Sequence, residues 1–393
     1  MIYHLPKLVV TCLLLVCAMT VNARMASAQS TDSQEKPAAT PAAEQPEPPI
    51  DFDRARKLFQ QRQRGGQLTA EEEAYVRRAL QARRAGAADR RPRGALTPRD
   101  SIGLKPLIEM TADDRYQGED GGLYGGGHNV PPESHRQAAE RELARIQPLD
   151  PQGQPAPDGR IVFVSISMSN ATQEFSRFKQ MADRNPAKSD ILTIVDCAQG
   201  GQAMAQWAPA DARPWTVAEQ LLARAQVSPA QVQVAWIKLA NKGPRGDLQE
   251  HGRPLQRDTL AVIQNAKSRF PNLRVAYLSS RIYAGYATGS LNPEPFAYES
   301  AFPSRWLIQD QMQGEPALNF DPDQGAVRAP VLLWGPYLWA DGITPRTSDG
   351  LTYTREDLAA DGTHPSNQGR DKVAQQMLKF FQTDPLAASW FCR

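Results

Sequence analysis

The sequence predicts an α/β fold built on a parallel sheet, and two patterns carry this prediction. From residue 160 onward, short apolar runs rich in β-branched residues alternate with longer stretches of helical periodicity. Such runs are typical of strands buried on both faces, and their alternation with helices requires right-handed crossovers. We therefore expect a three-layer α/β/α sandwich of flavodoxin type with five parallel strands, at 160–166, 190–196, 231–237, 273–279 and 330–335.

The predicted sheet also indicates where functional side chains should lie. Helical spacing of apolar residues separates the strands, and a last helix is expected at about 367–381. In an open parallel sheet, ligands bind beyond the carboxyl ends of the strands. The loops that follow the strands are therefore the places to search.

The first residues of the chain have the pattern of an export signal. In residues 1–28, Lys7 precedes an apolar run too short for a comfortable membrane span, and Ala26-Ser27-Ala28 is a small-residue cleavage pattern. An uncleaved anchor is the alternative. We expect a secreted or periplasmic protein with no membrane span after cleavage.

Three further segments precede an α/β domain at 159–393. Residues 29–50 are rich in proline, alanine and polar residues, which predicts a disordered linker. Residues 51–95 have the spacing of a helical hairpin, and residues 96–158 form an irregular glycine-rich segment. That segment is either a plain connector or a lid over an active site, with three possible ligand contacts: Tyr124, His128 and Asn129.

Charge and cysteine content exclude some classes of protein. The net charge of the 393-residue chain is +2, which does not fit a strongly basic nucleic-acid binder. After signal removal Cys197 and Cys392 remain. In an oxidising compartment they could pair, or they could stay separate thiols, and the sequence leaves both possibilities open.

The loop after the first predicted strand contains two serines, Ser167 and Ser169, followed by Asn170. A nucleophilic serine needs a base. His364 lies in DGTHPSNQG, just before the last helix, and Asp361 stands three residues ahead of it. That spacing lets the carboxylate fix the imidazole tautomer, as in a catalytic triad. The alternative is a polar loop with an Asp-Gly turn and an exposed histidine.

The other histidines beyond the signal segment are less suited to this role. No acid lies in a comparable position near His128, His135 or His251. His135 is expected at the surface near a helix start, and His251 in a polar loop. No helix has two histidines at i and i+4, so no metal site is predicted.

The ends of the second and third strands carry candidate hydrogen-bond donors. Gly200-Gly201 lets backbone approach a ligand closely, and its N–H groups could stabilise an oxyanion. Asn241 follows the third strand and could supply a second donor, while Lys238 is either a strand residue or a cation of the site. Taken singly, each has an ordinary structural explanation.

Four short blocks of the chain lie at the serine loop, at Gly200-Gly201, at the end of the third strand and at the Asp361–His364 loop. In this order they resemble the SGNH hydrolases, also called the GDSL esterase superfamily, over about residues 160–382. The motifs are most similar to the sialate O-acetylesterase-type carbohydrate esterases, which have Gly-Gln-Ser-Asn after the first strand. The corresponding blocks of this chain are Ser167-Met168-Ser169-Asn170, Gly200-Gly201 with Trp207, Trp236 with Asn241, and Asp361 with His364.

Two registers compete for the nucleophile of this resemblance. Aligning Ser165-Ile166-Ser167 with Gly-Asp-Ser makes Ser167 the nucleophile, but places apolar Ile166 where an acid or amide is expected. Aligning the block with Gly-Gln-Ser-Asn makes it Ser169 and keeps Asn170. The second register is favoured.

The resemblance implies an exported serine esterase of the SGNH type that hydrolyses acyl esters, in particular acetyl esters of carbohydrates, without a cofactor. It implies Ser169, His364 and Asp361 as the triad, with the N–H groups of Ser169 and Gly201 and the Asn241 amide as the oxyanion hole. Four residues are possible alternates or substrate contacts: Ser167, Asn170, Gly200 and Lys238.

Two departures from the family pattern keep other functions open. Ser167 stands where the family has glycine, and Leu239-Ala240 replaces the usual Gly-Glu of the third block. A non-catalytic carbohydrate-binding protein on a degenerate SGNH fold is one alternative, and an acyltransferase with the same triad is another. Seven aromatic residues could stack on sugar rings, with at least half expected in the core: Tyr283, Tyr286, Tyr298, Trp306, Trp334, Tyr337 and Trp339.

Overall fold

The computed structural model describes residues 50–51, 54–55, 58, 61, 68–89 and 96–393. The predicted signal segment, nearly all of the linker and most of the first hairpin helix lie outside these residues. The chain divides into two compact units, Met1–Asp89 and Arg90–Arg393.

The smaller unit contains helix α1, Ala70–Asp89. It begins with reciprocal hydrogen bonds: the Thr69 N–H donates to Glu72 Oε2 (2.9 Å), and the Glu72 N–H donates to Thr69 Oγ1 (3.2 Å). Each bond satisfies an N–H group that the helix itself cannot, which explains why α1 starts at this point.

The larger unit is built on a five-stranded sheet in which all paired strands are parallel, in the order β2-β1-β3-β4-β5. Every residue of β1, β3, β4 and β5 is buried, as expected of strands covered on both faces. This confirms the predicted sheet. Its strands are β1 Ile161–Ile166, β2 Leu192–Asp196, β3 Val232–Lys238, β4 Val275–Ser279 and β5 Val331–Trp334.

Helices cover both faces of this sheet and complete the three-layer α/β/α fold. In chain order they are α2 Glu133–Leu143, α3 Ser169–Ala182, α4 Met204–Trp207, α5 Arg213–Arg224, α6 Leu248–Arg269, α7 Phe296–Glu299, α8 Ala301–Met312, α9 Asn367–Thr383 and α10 Ala388–Phe391. Helix α3 packs beside α9, while α6 packs beside α8. Short 3-10 helices lie at Leu107–Glu109, Pro229–Gln231, Pro316–Leu318, Pro322–Gln324 and Arg355–Asp357.

An aromatic cluster fixes α3 and α9 against the sheet. Phe163 of β1 makes edge-to-face contacts with Phe175 and Phe178 of α3, with Phe381 of α9 and with Trp390, at centroid separations of 5.0 to 6.1 Å. Such contacts add to the free energy gained by burying the rings. Because α3 and α9 both begin at the carboxyl end of the sheet, their first residues are held close together.

The glycine-rich segment is anchored to the β5 side of the sheet. Arg305 of α8 donates to the Asp120 carbonyl (2.7 Å) and to Glu119 Oε2 (2.5 Å), and the Trp334 indole N–H donates to the Leu123 carbonyl (2.6 Å). These contacts are with α8 and with β5, and β5 lies three positions away from β1 in the sheet. The lid interpretation of this segment has no support in them.

The two cysteines of the larger unit are separate thiols. Cys197 is buried and Cys392 is partly buried, and neither forms a disulfide. None of the helices in the described part of the chain is long and apolar enough to span a membrane.

Candidate active site

The candidate nucleophile lies at the point where the strand order reverses. β1 is flanked by β2 on one side and β3 on the other, so the loops after β1 and β3 lead to opposite sides and leave a crevice. Ser169 is the first residue of α3, and the residue before it, Met168, provides no side-chain cap. The N–H groups of the first helical turn have no partner within a helix and are available to bind negative charge.

Ser169 and not Ser167 lies next to the candidate base. Ser169 Oγ is 2.7 Å from His364 Nε2, and His364 Nδ1 is 2.6 Å from Asp361 Oδ2. Both distances are those of good hydrogen bonds. The structure therefore brings the three side chains together in one continuous chain of hydrogen bonds, and His364 is not the solitary exposed histidine of the alternative.

Ser167 instead lies in the interior of the domain, where its polar groups bond to other protein groups. Its side chain is buried, its hydroxyl donates to the Lys238 carbonyl (2.5 Å), and its own carbonyl accepts from the Gln199 N–H (3.0 Å) and the Trp207 indole (3.1 Å). Ser167 does not have a positive φ, so the position does not require glycine. The hydroxyl links β1 to β3 and is not available to a substrate.

The loop that carries Asp361 and His364 is tightly constrained. Asp361 Oδ1 accepts hydrogen bonds from the backbone N–H groups of Thr363 and His364, each 3.0 Å long. Gly362 has φ +66°, and a Cβ there would lie 1.8 Å from the Tyr286 carbonyl oxygen, so only glycine fits. The carboxylate is thereby pointed at the imidazole before any substrate binds.

Burial acts to raise the pKa of Asp361, but the hydrogen bonds from the His364 side chain and from the His364 and Thr363 backbones outweigh it. The net result holds the pKa of this carboxyl well below its usual range. Asp361 is therefore ionised at neutral pH. Its negative charge favours the tautomer in which His364 Nδ1 carries the proton and Nε2 is free to accept one.

Asn170 is buried and bonded within the domain, so it is not exposed to a substrate. Its side chain is buried, and its amide donates to the Thr363 carbonyl at 2.8 Å. This bond joins the start of α3 to the loop that precedes His364. It therefore links the two segments that carry Ser169 and His364, a contact that the sequence did not indicate.

Like Ser169, Gly201 is a predicted oxyanion donor whose backbone N–H is free among the described residues. It is exposed, has φ +75°, and its N–H makes no hydrogen bond to any residue the structure describes. Gly200 is also exposed, with open space around it. The Asn241 side chain already has two hydrogen-bond partners. Its Nδ2 donates to Asp258 Oδ2 (2.6 Å), and its Oδ1 accepts from the Ala205 N–H (2.8 Å).

Lys238 is not a substrate contact, contrary to one of the two interpretations of its sequence position. Its side chain is fully buried and pairs with Glu174 of α3 at 2.5 Å. Burial lowers the pKa of Lys238 to about 8. Arg281 is buried nearby, with its guanidinium 3.6 Å from the sulfur of Met168, and no motif in the sequence pointed to it.

Two other histidines differ from their predicted environments. His135 is buried rather than on the surface, with Nε2 2.8 Å from the Leu332 carbonyl oxygen. His251 is buried within α6 rather than in a polar loop, and its Nε2 lies 2.5 Å from Glu299 Oε2. No set of three or more His, Cys, Asp or Glu side chains suited to a metal ion occurs in the described ranges.

Fold and site together define a flavodoxin-like α/β domain in which Ser, His and Asp side chains meet at the strand-order reversal. No protein-family model matches the chain, and no curated protein matches it in sequence.

Several solved structures are remotely similar to it. Protein YxiM of Bacillus subtilis is 12% identical over 60% of this chain and 59% of its own, with a TM-score of 0.31. A Bacteroides fragilis protein proposed to be an acylhydrolase is 12% identical over 64% and 96%, with a TM-score of 0.33. The periplasmic domain of a lipopolysaccharide acetyltransferase from Salmonella ser. Paratyphi A is 13% identical over 62% and 95%, with a TM-score of 0.31.

This chain therefore spans 59% of the length of the Bacillus subtilis protein. Likenesses this remote carry no information about the activity or the substrate of this chain.

Proposed function

We propose that this protein is an exported serine esterase that hydrolyses acetyl esters of carbohydrates. The observation that carries the catalytic part is the chain of hydrogen bonds from Ser169 Oγ through His364 to Asp361, with lengths of 2.7 and 2.6 Å. A serine, an oriented imidazole and an ionised carboxylate in this order are the requirements of nucleophilic acyl transfer.

Ser169 Oγ attacks the ester carbonyl carbon while His364 Nε2 accepts the hydroxyl proton. The tetrahedral intermediate collapses as the imidazolium returns that proton to the leaving alcohol, which leaves an acetyl group on Ser169. Water then attacks this acetyl-enzyme, His364 again takes and returns a proton, and acetate is released. Asp361 stays ionised throughout and stabilises the imidazolium, in keeping with its lowered pKa.

The developing oxyanion would be bound by the backbone N–H groups of Ser169 and Gly201. Asn241 can contribute only the second proton of its amide, because Asp258 accepts the first. Each donor in such a hole is worth roughly 3–4 kcal/mol of transition-state stabilisation.

The direct test is turnover of p-nitrophenyl acetate by the wild type, Ser169→Ala and Ser167→Ala. We expect Ser169→Ala to lose at least about 10³-fold in kcat, since the nucleophile is gone. Ser167→Ala removes only a buried hydrogen bond and should retain most of the activity. Equal turnover by the wild type and Ser169→Ala would refute the assignment of the nucleophile, whereas glycan binding without turnover of any acetylated substrate would favour the non-catalytic binding protein.

The carbohydrate part of the proposal rests on the motif resemblance. The seven aromatic residues considered as sugar-stacking platforms are all at most 6% exposed, so they belong to the core instead. Acetate release from an O-acetylated xylo-oligosaccharide tests this part. Export is tested separately by asking whether the chain outside the cytoplasm lacks residues 1–28.

A further inference from the structure

A cavity of about 290 Å³ lies beside the triad loop. It is open to the surface and is lined by the loop after β3, the first turns of α6 and the segment leading into α7. The residues used below line it: Asn241, Arg245, Glu250, His251, Asn292 and Phe296.

This cavity is separated from the triad by one short segment of chain. On one side of this segment, the Thr288 N–H donates to the Asp361 carbonyl (3.2 Å) and the Thr363 hydroxyl donates to the Leu291 carbonyl (3.3 Å). On the other side, the Asn292 amide donates to the Asn241 carbonyl, and both residues line the cavity. The cavity and the loop that carries Asp361 therefore lie against the same segment, residues 288–292.

A network of hydrogen bonds orients an imidazole in the cavity wall. Glu299 accepts from His251 Nε2 (2.5 Å), from the Tyr116 hydroxyl (2.5 Å) and from the Gln117 amide (2.7 Å). With Nε2 bound in this way, His251 Nδ1 has no hydrogen-bond partner among the described residues. Because the Glu299 carboxylate favours the tautomer with the proton on Nε2, Nδ1 is left as an acceptor for a ligand hydroxyl.

Arg245 supplies a cation at the same cavity. Its side chain is exposed, and it forms no hydrogen bond or ion pair with any residue in the described ranges. A guanidinium matches a carboxylate with two parallel hydrogen bonds. Glu250 also lines the cavity, but its Oε2 accepts from the Asp247 N–H (3.2 Å) at the start of α6.

The remaining wall of the cavity carries an aromatic side chain, Phe296, of the kind that contacts sugar rings. Phe296 is partly exposed and packs edge-to-face on His251, with ring centroids 4.9 Å apart. An aromatic wall with a few convergent polar groups is typical of small-ligand sites, which begin at about 300 Å³. The cavity therefore has room for one sugar unit and not for a long chain.

We infer that this cavity is a subsite of the proposed esterase that binds a carboxylate-bearing sugar unit next to the acetylated one, with Arg245 binding the carboxylate, His251 Nδ1 accepting a hydrogen bond from a sugar hydroxyl and Phe296 contacting the ring. This inference rests on the proposed function and adds the class of sugar that the enzyme selects.

The kinetic test compares an O-acetylated oligogalacturonide with a neutral O-acetylated xylo-oligosaccharide. We expect Arg245→Ala to raise KM for the charged substrate about tenfold more than KM for the neutral one. Arg184→Ala removes an exposed arginine outside the cavity and is the matched control, expected to change neither KM. An equal rise in both KM values would indicate a merely structural role and overturn the inference.

A binding measurement separates this inference from the proposed chemistry. Calorimetric titration of the inactive Ser169→Ala protein with a deacetylated oligogalacturonide should show binding that Arg245→Ala weakens about tenfold. Absence of binding would overturn the subsite even if p-nitrophenyl acetate is hydrolysed. Binding without turnover of any ester would support the subsite and refute the esterase.

Discussion

The domain contains two histidine–carboxylate pairs of nearly equal hydrogen-bond length but different surroundings. His364 and Asp361 are three residues apart in sequence and partly exposed, with 2.6 Å between Nδ1 and Oδ2. His251 and Glu299 are 48 residues apart and buried, with 2.5 Å between Nε2 and Oε2. Nε2 of His364 faces the Ser169 hydroxyl. His251 instead lines a cavity, and its Nδ1 has no hydrogen-bond partner among the described residues.

This difference teaches that a carboxylate only orients an imidazole. The chemistry available to the ring depends on the group that faces its other nitrogen. A hydroxyl at 2.7 Å makes His364 a candidate general base, while an open cavity makes His251 a candidate binding group. The predictions below test this distinction, beginning with the largest effect.

Neutralising each carboxylate should affect catalysis very differently. Asp361→Asn should lower kcat on p-nitrophenyl acetate by on the order of 10³–10⁴-fold, because an amide no longer holds the required His364 tautomer. Glu299→Gln should lower it by less than about tenfold, because His251 does not contact Ser169. Steady-state kinetics on both variants measure these changes. A comparable loss of kcat in Asp361→Asn and Glu299→Gln would show that the two carboxylates do not differ in the way proposed.

Catalysis by the proposed triad should also depend on the Gly201 N–H, one of the proposed oxyanion donors. Gly201→Ala places a side chain at φ +75° and should displace its N–H, lowering kcat by roughly 10²-fold. Gly200→Ala is the matched control, since Gly200 has no positive φ and nothing lies within 4 Å of an added Cβ. A loss no greater for Gly201→Ala than for Gly200→Ala would remove Gly201 from the oxyanion hole.

Removing the hydrogen bond from Asn170 to the Thr363 carbonyl should have a moderate effect on stability and on kcat. Asn170→Ala leaves the buried Thr363 carbonyl without its partner, at a cost of about 1–3 kcal/mol in the free energy of unfolding. The looser Ser169–His364 contact should also lower kcat at unchanged KM. Urea denaturation and kinetics measure the two effects, and unaltered kcat in a folded variant would show that Asn170 does not position the triad.

The smallest effect concerns pH. Because the folded-state pKa of Asp361 lies below its unfolded value of about 3.9, its stabilising contribution is present above that pH and is lost as pH falls. The free energy of unfolding should therefore fall more steeply for the wild type than for Asp361→Asn between about pH 5 and pH 3. Parallel slopes would mean that the carboxylate is not stabilised in the folded state.

Much of this fold could be predicted because its signals are local. Strands buried on both faces appear as short β-branched runs, and the structure places them within a few residues of the expected positions. The relation of Asp361 to His364 is also local, since both belong to one tight loop. Choosing Ser169 over Ser167 depended on Asn170, although its contact with Thr363 was not foreseen.

What the sequence could not determine are contacts between distant segments. The partnership of His251 with Glu299 has no characteristic spacing, and the burial of His135, Lys238 and the seven aromatic residues depends on which elements cover them. The sequence by itself determined the order of strands and helices and the residues able to form a triad, because these follow from periodicity and turn chemistry. Only the tertiary structure decided which polar side chains meet, because packing of whole helices and strands sets those distances.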